Sequence, residues 1–234
     1  MLYGSYTRYN IARGHLFKFS STGQFQAFFD FGWDDTLAVV PRDDDNFSIV
    51  MKDNHYDEEA GFYCNPNPAF PNSLIVCDST GIPAGPFYIT QVNKNLQPEW
   101  QFKSTETRSC HRNADGSVTC LDDGTHPNGF EWCINAPAVD GDGNVYLESE
   151  DGFVYVLDQG HSGVFTTPKF KFCTNLAVGA AYTPFSIDGT GRLYAQNNGH
   201  LFALGAGGGD VGQNDESNLG HRPPRLDPES GGND

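Results

Sequence analysis

The residues of this chain best suited to chemistry lie in three short segments. "WDDT" (Trp33–Thr36) and "KDNHYDEE" (Lys52–Glu59) bring Asp34, Asp53, Asn54, His55 and Tyr56 into polar, loop-like sequence. A histidine between an amide and a phenol, with carboxylates beside it, can accept a proton or ligate a metal. The same residues can simply hold a loop in shape through hydrogen bonds, which is the preferred reading. "HPNGFEW" (His126–Trp132) groups Asn128, Glu131 and Trp132, an amide, a carboxylate and an indole able to line a pocket. Its plainer reading is a Pro127-Asn128-Gly129 turn with Phe130 and Trp132 packed in the core. No catalytic residue is assigned, because "GHSG" (Gly160–Gly163) falls short of the G-x-S-x-G elbow.

Metal sites are not expected either. "DGDGN" (Asp140–Asn144), followed by Glu148, Glu150 and Asp151, carries enough oxygen for calcium, with Asp151 at the twelfth loop position. Gly143 and Val145 break the ligand spacing, and the matching "DGTGR" (Asp188–Arg192) puts an arginine in that stretch. A turn requirement explains both motifs. Zinc needs closely spaced cysteine pairs, and the six cysteines offer none.

The cysteines read better as disulfides. In "SCHRNADGSVTC", Asn113-Ala-Asp-Gly is a turn that sets Cys110 opposite Cys120, at the cross-strand spacing of about 4.5–5.5 Å that a disulfide tolerates. Cys64 and Cys77 flank the Pro/Asn-rich "NPNPAFPNSLIV" and form the second expected pair. Whether Cys133 and Cys173 pair is left open. Disulfides place the protein outside the cytoplasm, secreted, periplasmic or on the cell surface, although "MLYGSYTRYNIARGHL" lacks the charged start and apolar stretch of a signal peptide.

Strands must position all of these groups. In 234 residues there are 27 glycines, 14 prolines and 13% aromatics, and no long stretch repeats apolar residues at helical spacing. "DGNVYLESEDGFVYVLD" and "DGTGRLYAQNNGHLFALG" repeat one design: a D-G-x-G turn, a strand, a tight turn and a second strand. Alternation sets Val145 and Leu193 on one face and Tyr146 and Tyr194 on the other. The second strand recurs at Gly14-His-Leu-Phe-Lys-Phe, beside Leu2-Tyr-Gly-Ser-Tyr, and at Gly85-Pro-Phe-Tyr-Ile-Thr, beside Phe47-Ser-Ile-Val-Met. Closing glycines are accordingly expected at 14, 85, 152 and 199, with "GQFQAFFDFG" and "LQPEWQFKS" as following strands. A unit of about 40–50 residues is the period of a β-propeller blade.

The expected fold is therefore all-β, a β-propeller of about four or more blades. Leu2 already belongs to the first hairpin, so the ring is expected to be incomplete and Met1 not to be the natural start; a compact four-blade ring is the alternative. Residues 1–205 form this domain. Residues 206–234, rich in Gly, Pro, Asn and Asp, are expected to be disordered.

These repeats resemble the quinoprotein-type (PQQ-like) β-propeller proteins over roughly residues 1–205, and "KDNHYD", "HPNGFEWCINAPAVDGDGNVYLESEDG" and "LAVGAAYTPFSIDGTGRLYAQNNGHLFALG" are similar to a bacterial branch of them. The resemblance implies a propeller, and for the enzymes of the group a quinone over adjacent cysteines, a Trp platform and calcium. Here no two cysteines are adjacent, and Trp33, Trp100 and Trp132 do not follow the group's docking pattern. No C-x-x-C-H holds a haem. Neither PQQ nor calcium is expected as a cofactor.

A formal charge of −16, with 14 Lys+Arg against 30 Asp+Glu, removes nucleic acid as a partner. No run of 18 apolar residues gives a membrane span. What remains is an extracytoplasmic module that binds or scaffolds a protein, glycan or small ligand. Its rival is a quinone-dependent dehydrogenase or hydrolytic propeller enzyme.

Overall fold

A computed structural model describes residues 2–8, 11–32, 37–43, 46–54, 86–122, 124, 126–132, 136–174, 185–197 and 200–205. The architecture is all-β, in separate sheets of which none closes on itself. The first sheet is an antiparallel meander of β1 (Leu2–Arg8), β2 (Ile11–Phe19) and β3 (Phe25–Gly32). In the second, β4 (Ala38–Pro41), β5 (Phe47–Asn54), β6 (Phe87–Asn93) and β7 (Pro98–Lys103) run up and down in sequence order. A hairpin of β8 (Ser109–Arg112) and β9 (Val118–Leu121) follows. The third sheet joins β10 (Ala138–Val139), β11 (Val145–Glu148), β12 (Phe153–Leu157) and β14 (Phe170–Cys173). Between its last two strands, β13 (Gly163–Phe165) leaves to pair in parallel with β7 at the edge of the second sheet. The fourth sheet is β15 (Ser186–Ile187), β16 (Leu193–Asn197) and β17 (His200–Leu204).

Period-two alternation lets each sheet bury two faces, and the clusters show which sheets meet. Ile49 and Met51 of β5 pack with Leu16, Phe29 and Phe31 of the first sheet. Val50, between them in sequence, joins Ile89, Trp100 and Phe102 against Val145, Leu147, Tyr155 and Leu157 of the third sheet. On the reverse face of β12, Val154 packs with Leu193 and Ala195 of the fourth. The sheets thus stack in chain order, each against its neighbour. At the edges, the first strands β4 and β10 of consecutive sheets also touch.

Among the described residues, six loops share one hydrogen-bond pattern. In each, the first residue donates its N–H to the carbonyl four positions on and accepts from the N–H three positions on: Ser20, Asn93, Asn113, Asp140, Ser149 and Asp188. The fourth residue then takes positive φ, as Gly23, Gly116, Gly143, Gly152 and Gly191 do easily. In the Asn93 loop that place is held by Leu96, at φ 61 and only 5% exposed.

The expected pairings of β1 with β2, β5 with β6, β11 with β12 and β16 with β17 are all present. Gly152 closes its turn at φ 98. Gly14 does not: it sits inside β2, opposite Ser5 and Phe31, and the β1–β2 connection falls later in β1 than "LYGSY" suggested. Residues 85 and 199 and the tail 206–234 lie outside the described residues.

Candidate functional site

Two of the three chemistry-bearing segments meet at the end of β5. Asn54, fully buried, donates from Nδ2 to the Trp132 carbonyl (3.0 Å), and its Oδ1 accepts the Trp132 N–H (3.1 Å). A side-chain amide here plays the part of a strand residue, satisfying both backbone groups of an irregular segment. Trp132 is itself fully buried, with its ring edge-on to Tyr155 (5.3 Å) and tilted against Phe102 (5.8 Å). Phe130 is equally buried, and His126 stacks on it at 3.7 Å. The packing reading of this segment is the one observed.

Asp53, one residue earlier, points to the opposite face of β5 and is 4% exposed. Its carboxylate accepts from Thr90 Oγ1 (3.0 Å), which in turn accepts from Gln101 Nε2 (3.1 Å). Burial, helped by the Asp53 charge, raises the pKa of Tyr88, which stands opposite Asp53 in the register. In the segment that ends at Trp132, Asn128 is exposed and Glu131 half-buried. Asp34, His55, Tyr56, Cys64, Cys77 and Cys133, and the loop and disulfide readings that rest on them, lie outside the described residues.

The cysteine expectation for the β8–β9 hairpin holds. Cys110 and Cys120 face each other and are joined by a disulfide, with Cα atoms 4.1 Å apart. Cys173 is buried in the same cluster as Cys110. Of the other histidines, His111 lies in β8 and His200 begins β17. His161 is on a loop, held by Asp158 (2.8 Å) and stacked on Phe165 (3.8 Å).

The repeated D-G-x-G turns explain themselves in atomic terms. Asp140 Oδ1 accepts the N–H groups of Asp142 and Asn144, and Oδ2 accepts from Asn144 Nδ2 and the Tyr146 hydroxyl (2.8 Å). Asp188 repeats the arrangement with Thr190, Arg192 and the Tyr194 hydroxyl (3.1 Å). These donors lower the pKa of Asp188 to about 2. Burial pushes the Tyr146 hydroxyl up to about 12, its bond to Asp140 adding to the effect. Between the two turns runs an open groove of about 440 Å³ lined by Val139, Asp140, Asp142, Ile187 and Asp188.

The group that sequence reasoning placed least well is Asp151. In the tight β11–β12 turn it is fully buried, its Oδ1 accepting the Phe153 N–H (2.8 Å) and its Oδ2 the Tyr155 hydroxyl (2.5 Å). Burial drives its pKa up to about 7 against the pull of those two donors, and the Glu106 charge adds to the rise. Glu106, despite partial burial, is held below the usual carboxylate range by Arg108 (2.7 Å) and Lys171 (3.2 Å). In the sequence Asp151 stands only at the twelfth position of a calcium loop that a turn requirement displaces. Its signal was the tyrosine four residues on, which from one sequence looks like strand alternation alone.

Among the described residues, no group of three or more His, Cys, Asp or Glu is placed to hold a metal ion, and no helix is long and apolar enough to cross a membrane. Compared with known proteins, the chain matches no family model and no curated sequence.

Proposed function

We propose that this chain is a β-propeller of the PQQ-like repeat type, exported from the cytoplasm, that binds or scaffolds a partner through its loop face, with no catalysis assigned to it. Three features support the propeller. Up-and-down sheets follow one another in sequence, each packs on its chain neighbour, and the first strands of the second and third sheets adjoin as spokes do near a hub. The Cys110–Cys120 disulfide supports an oxidising compartment.

The observation that carries the non-catalytic reading is the state of Asp53 and Asn54. Both are buried, and their polar atoms bond to Thr90 and to the Trp132 backbone, where they organise the sheet end. A catalytic base has to reach a substrate proton. What these residues do instead is tie the end of β5 to β6 and to Trp132, a rigid frame of the kind that carries binding loops in propellers. The ligand class is a protein, glycan or small molecule met by Asp34, His55, Tyr56, Asn128 and Glu131.

The test is a pair of assays on wild type and on His55→Ala and Glu131→Ala. Probed with immobilised neutral and acidic glycans and with basic peptides, the wild type should bind one class, and the variants should lose it with unchanged melting temperature. Reconstituted with PQQ and calcium and offered alcohols and sugars, the wild type should reduce no dye. Dye reduction abolished by His55→Ala overturns the binding reading in favour of a dehydrogenase.

A further inference from the structure

The Ser149–Gly152 turn joins three parts of the molecule through its backbone. The Asp151 carbonyl accepts the Cys110 N–H (2.7 Å), tying the turn to the disulfide hairpin. The Gly152 carbonyl accepts both the N–H (2.8 Å) and the hydroxyl (3.1 Å) of Thr174 just past β14. Thr174 in turn accepts the Arg112 N–H from the end of β8 (3.1 Å), and Arg112 Nε reaches the Cys173 carbonyl (2.9 Å). Ser149, Asp151 and Thr174 are fully buried, and Glu150 nearly so. At the centre of this knot sits the fully buried carboxyl of Asp151.

We propose that the turn is a proton-operated latch: with a proton on the Asp151 carboxyl it clamps the β8–β9 hairpin and the end of β14 to the third sheet, and loss of that proton favours release. Neutral, the carboxyl keeps its bonds to Phe153 N–H and Tyr155 without carrying charge into a site where charge is costly. Ionised, it faces the negative Glu106 from the segment before β8. Arg108 and Lys171, the cations on that side, are already engaged by Glu106. Glu148 and Glu150, buried just before and within the turn, add no positive charge. Tyr155, from β12, offers a hydroxyl and no charge of its own, its pKa being raised well above the usual value. Opening the turn to water is then the way for the site to carry a full charge.

The sign follows from linkage. The latched carboxyl holds its proton up to about pH 7, whereas the opened one releases it at the ordinary aspartate value of 3.8. Opening therefore releases a proton, and becomes easier as pH rises through that window, approaching tenfold per pH unit between about 4 and 7 and level above.

Hydrogen exchange of the Cys110 and Thr174 amides, corrected for intrinsic rate, reads the latch directly. Their protection should fall by close to tenfold per pH unit from about pH 4.5 to 6.5 and then level off. In Asp151→Asn the profile should be flat. Should that variant not fold, Tyr155→Phe, which removes a donor to the carboxylate, should move the levelling-off to higher pH. Flat protection in the wild type overturns the proposal, as does an unchanged slope in Asp151→Asn or an unmoved plateau in Tyr155→Phe. Amides of β6 should keep higher protection throughout; if they exchange with Cys110 at every pH, the event is unfolding of the whole and the latch is refuted.

Discussion

Asn54 and Trp132 lie 78 residues apart in sequence and form a two-bond pair, side-chain amide against main-chain peptide, at the centre of the core. The pair fixes where β5 ends and how the buried indole enters between the second and third sheets. It converts a segment with no strand partner of its own into one whose peptide groups are satisfied.

Asn54→Ala removes both bonds and leaves a buried N–H and C=O without partners, so it should cost about 2–4 kcal/mol. Asn54→Asp, which loses the donor and adds a charge, should cost at least as much at neutral pH. Urea unfolding measures both. A change below about 0.5 kcal/mol in Asn54→Ala would show that the pair is incidental.

The two D-G-x-G turns should respond alike. Tyr146→Phe and Tyr194→Phe each delete one hydroxyl donor to a turn carboxylate, and each should lower stability by about 1 kcal/mol. Because Asp188 has a depressed pKa, its contribution is complete above about pH 4 and is lost as pH falls toward 2. Asp188→Asn should blunt that acid sensitivity in melts between pH 2 and 5. An acid limb equally steep in the variant would assign it to other carboxylates.

These turns and the Cys110–Cys120 hairpin were legible from sequence for one reason: every determinant lies within a few residues. Asp140 bonds Asn144 and Tyr146, and Cys110 reaches Cys120 around a four-residue turn whose glycine supplies the positive φ. Gly14 was misread because glycine serves turns and strand interiors alike, and only its partners Ser5 and Phe31 tell which. The Asn54–Trp132 pair and the burial of Asp151 depend on which sheets stack, and residue type alone assigns an amide or a carboxylate to the surface. The parallel edge strand β13 had no signal beyond three residues, Gly163–Phe165.

Loss of the Cys110–Cys120 bond should destabilise by about 2–3 kcal/mol, the chain-entropy value for so short a loop. Cys120→Ser with Cys110→Ser, compared with wild type by thermal melts, measures it. Peptide mapping without reductant should recover the linked pair, and unmodified thiols at both positions would contradict the oxidising-compartment reading.

Leu96 offers a contest between strain and burial. Its positive φ costs about 1 kcal/mol, while the packing of its side chain against Val92 and Ile49 contributes about 2 kcal/mol. Leu96→Gly should therefore destabilise, by about 1 kcal/mol net. At the equivalent Gly116, where open space surrounds the position, Gly116→Ala should cost about 1 kcal/mol from backbone strain alone. A stabilised Leu96→Gly protein would mean that strain outweighs packing.

The proposed radial arrangement of the sheets is tested most directly by two electron–electron distances between the second and fourth sheets, with labels on encoded keto residues so that the cysteines stay intact. One pair, Val39 and Ser186, sits on first strands; the other, Pro98 and Ala203, sits on later ones, and all four positions are exposed. Blades fanning from a hub predict a clearly shorter distance for the Val39–Ser186 pair than for the Pro98–Ala203 pair. Equal distances of about 20 Å, two spacings of parallel packed sheets, would make the molecule a straight stack and contradict the propeller.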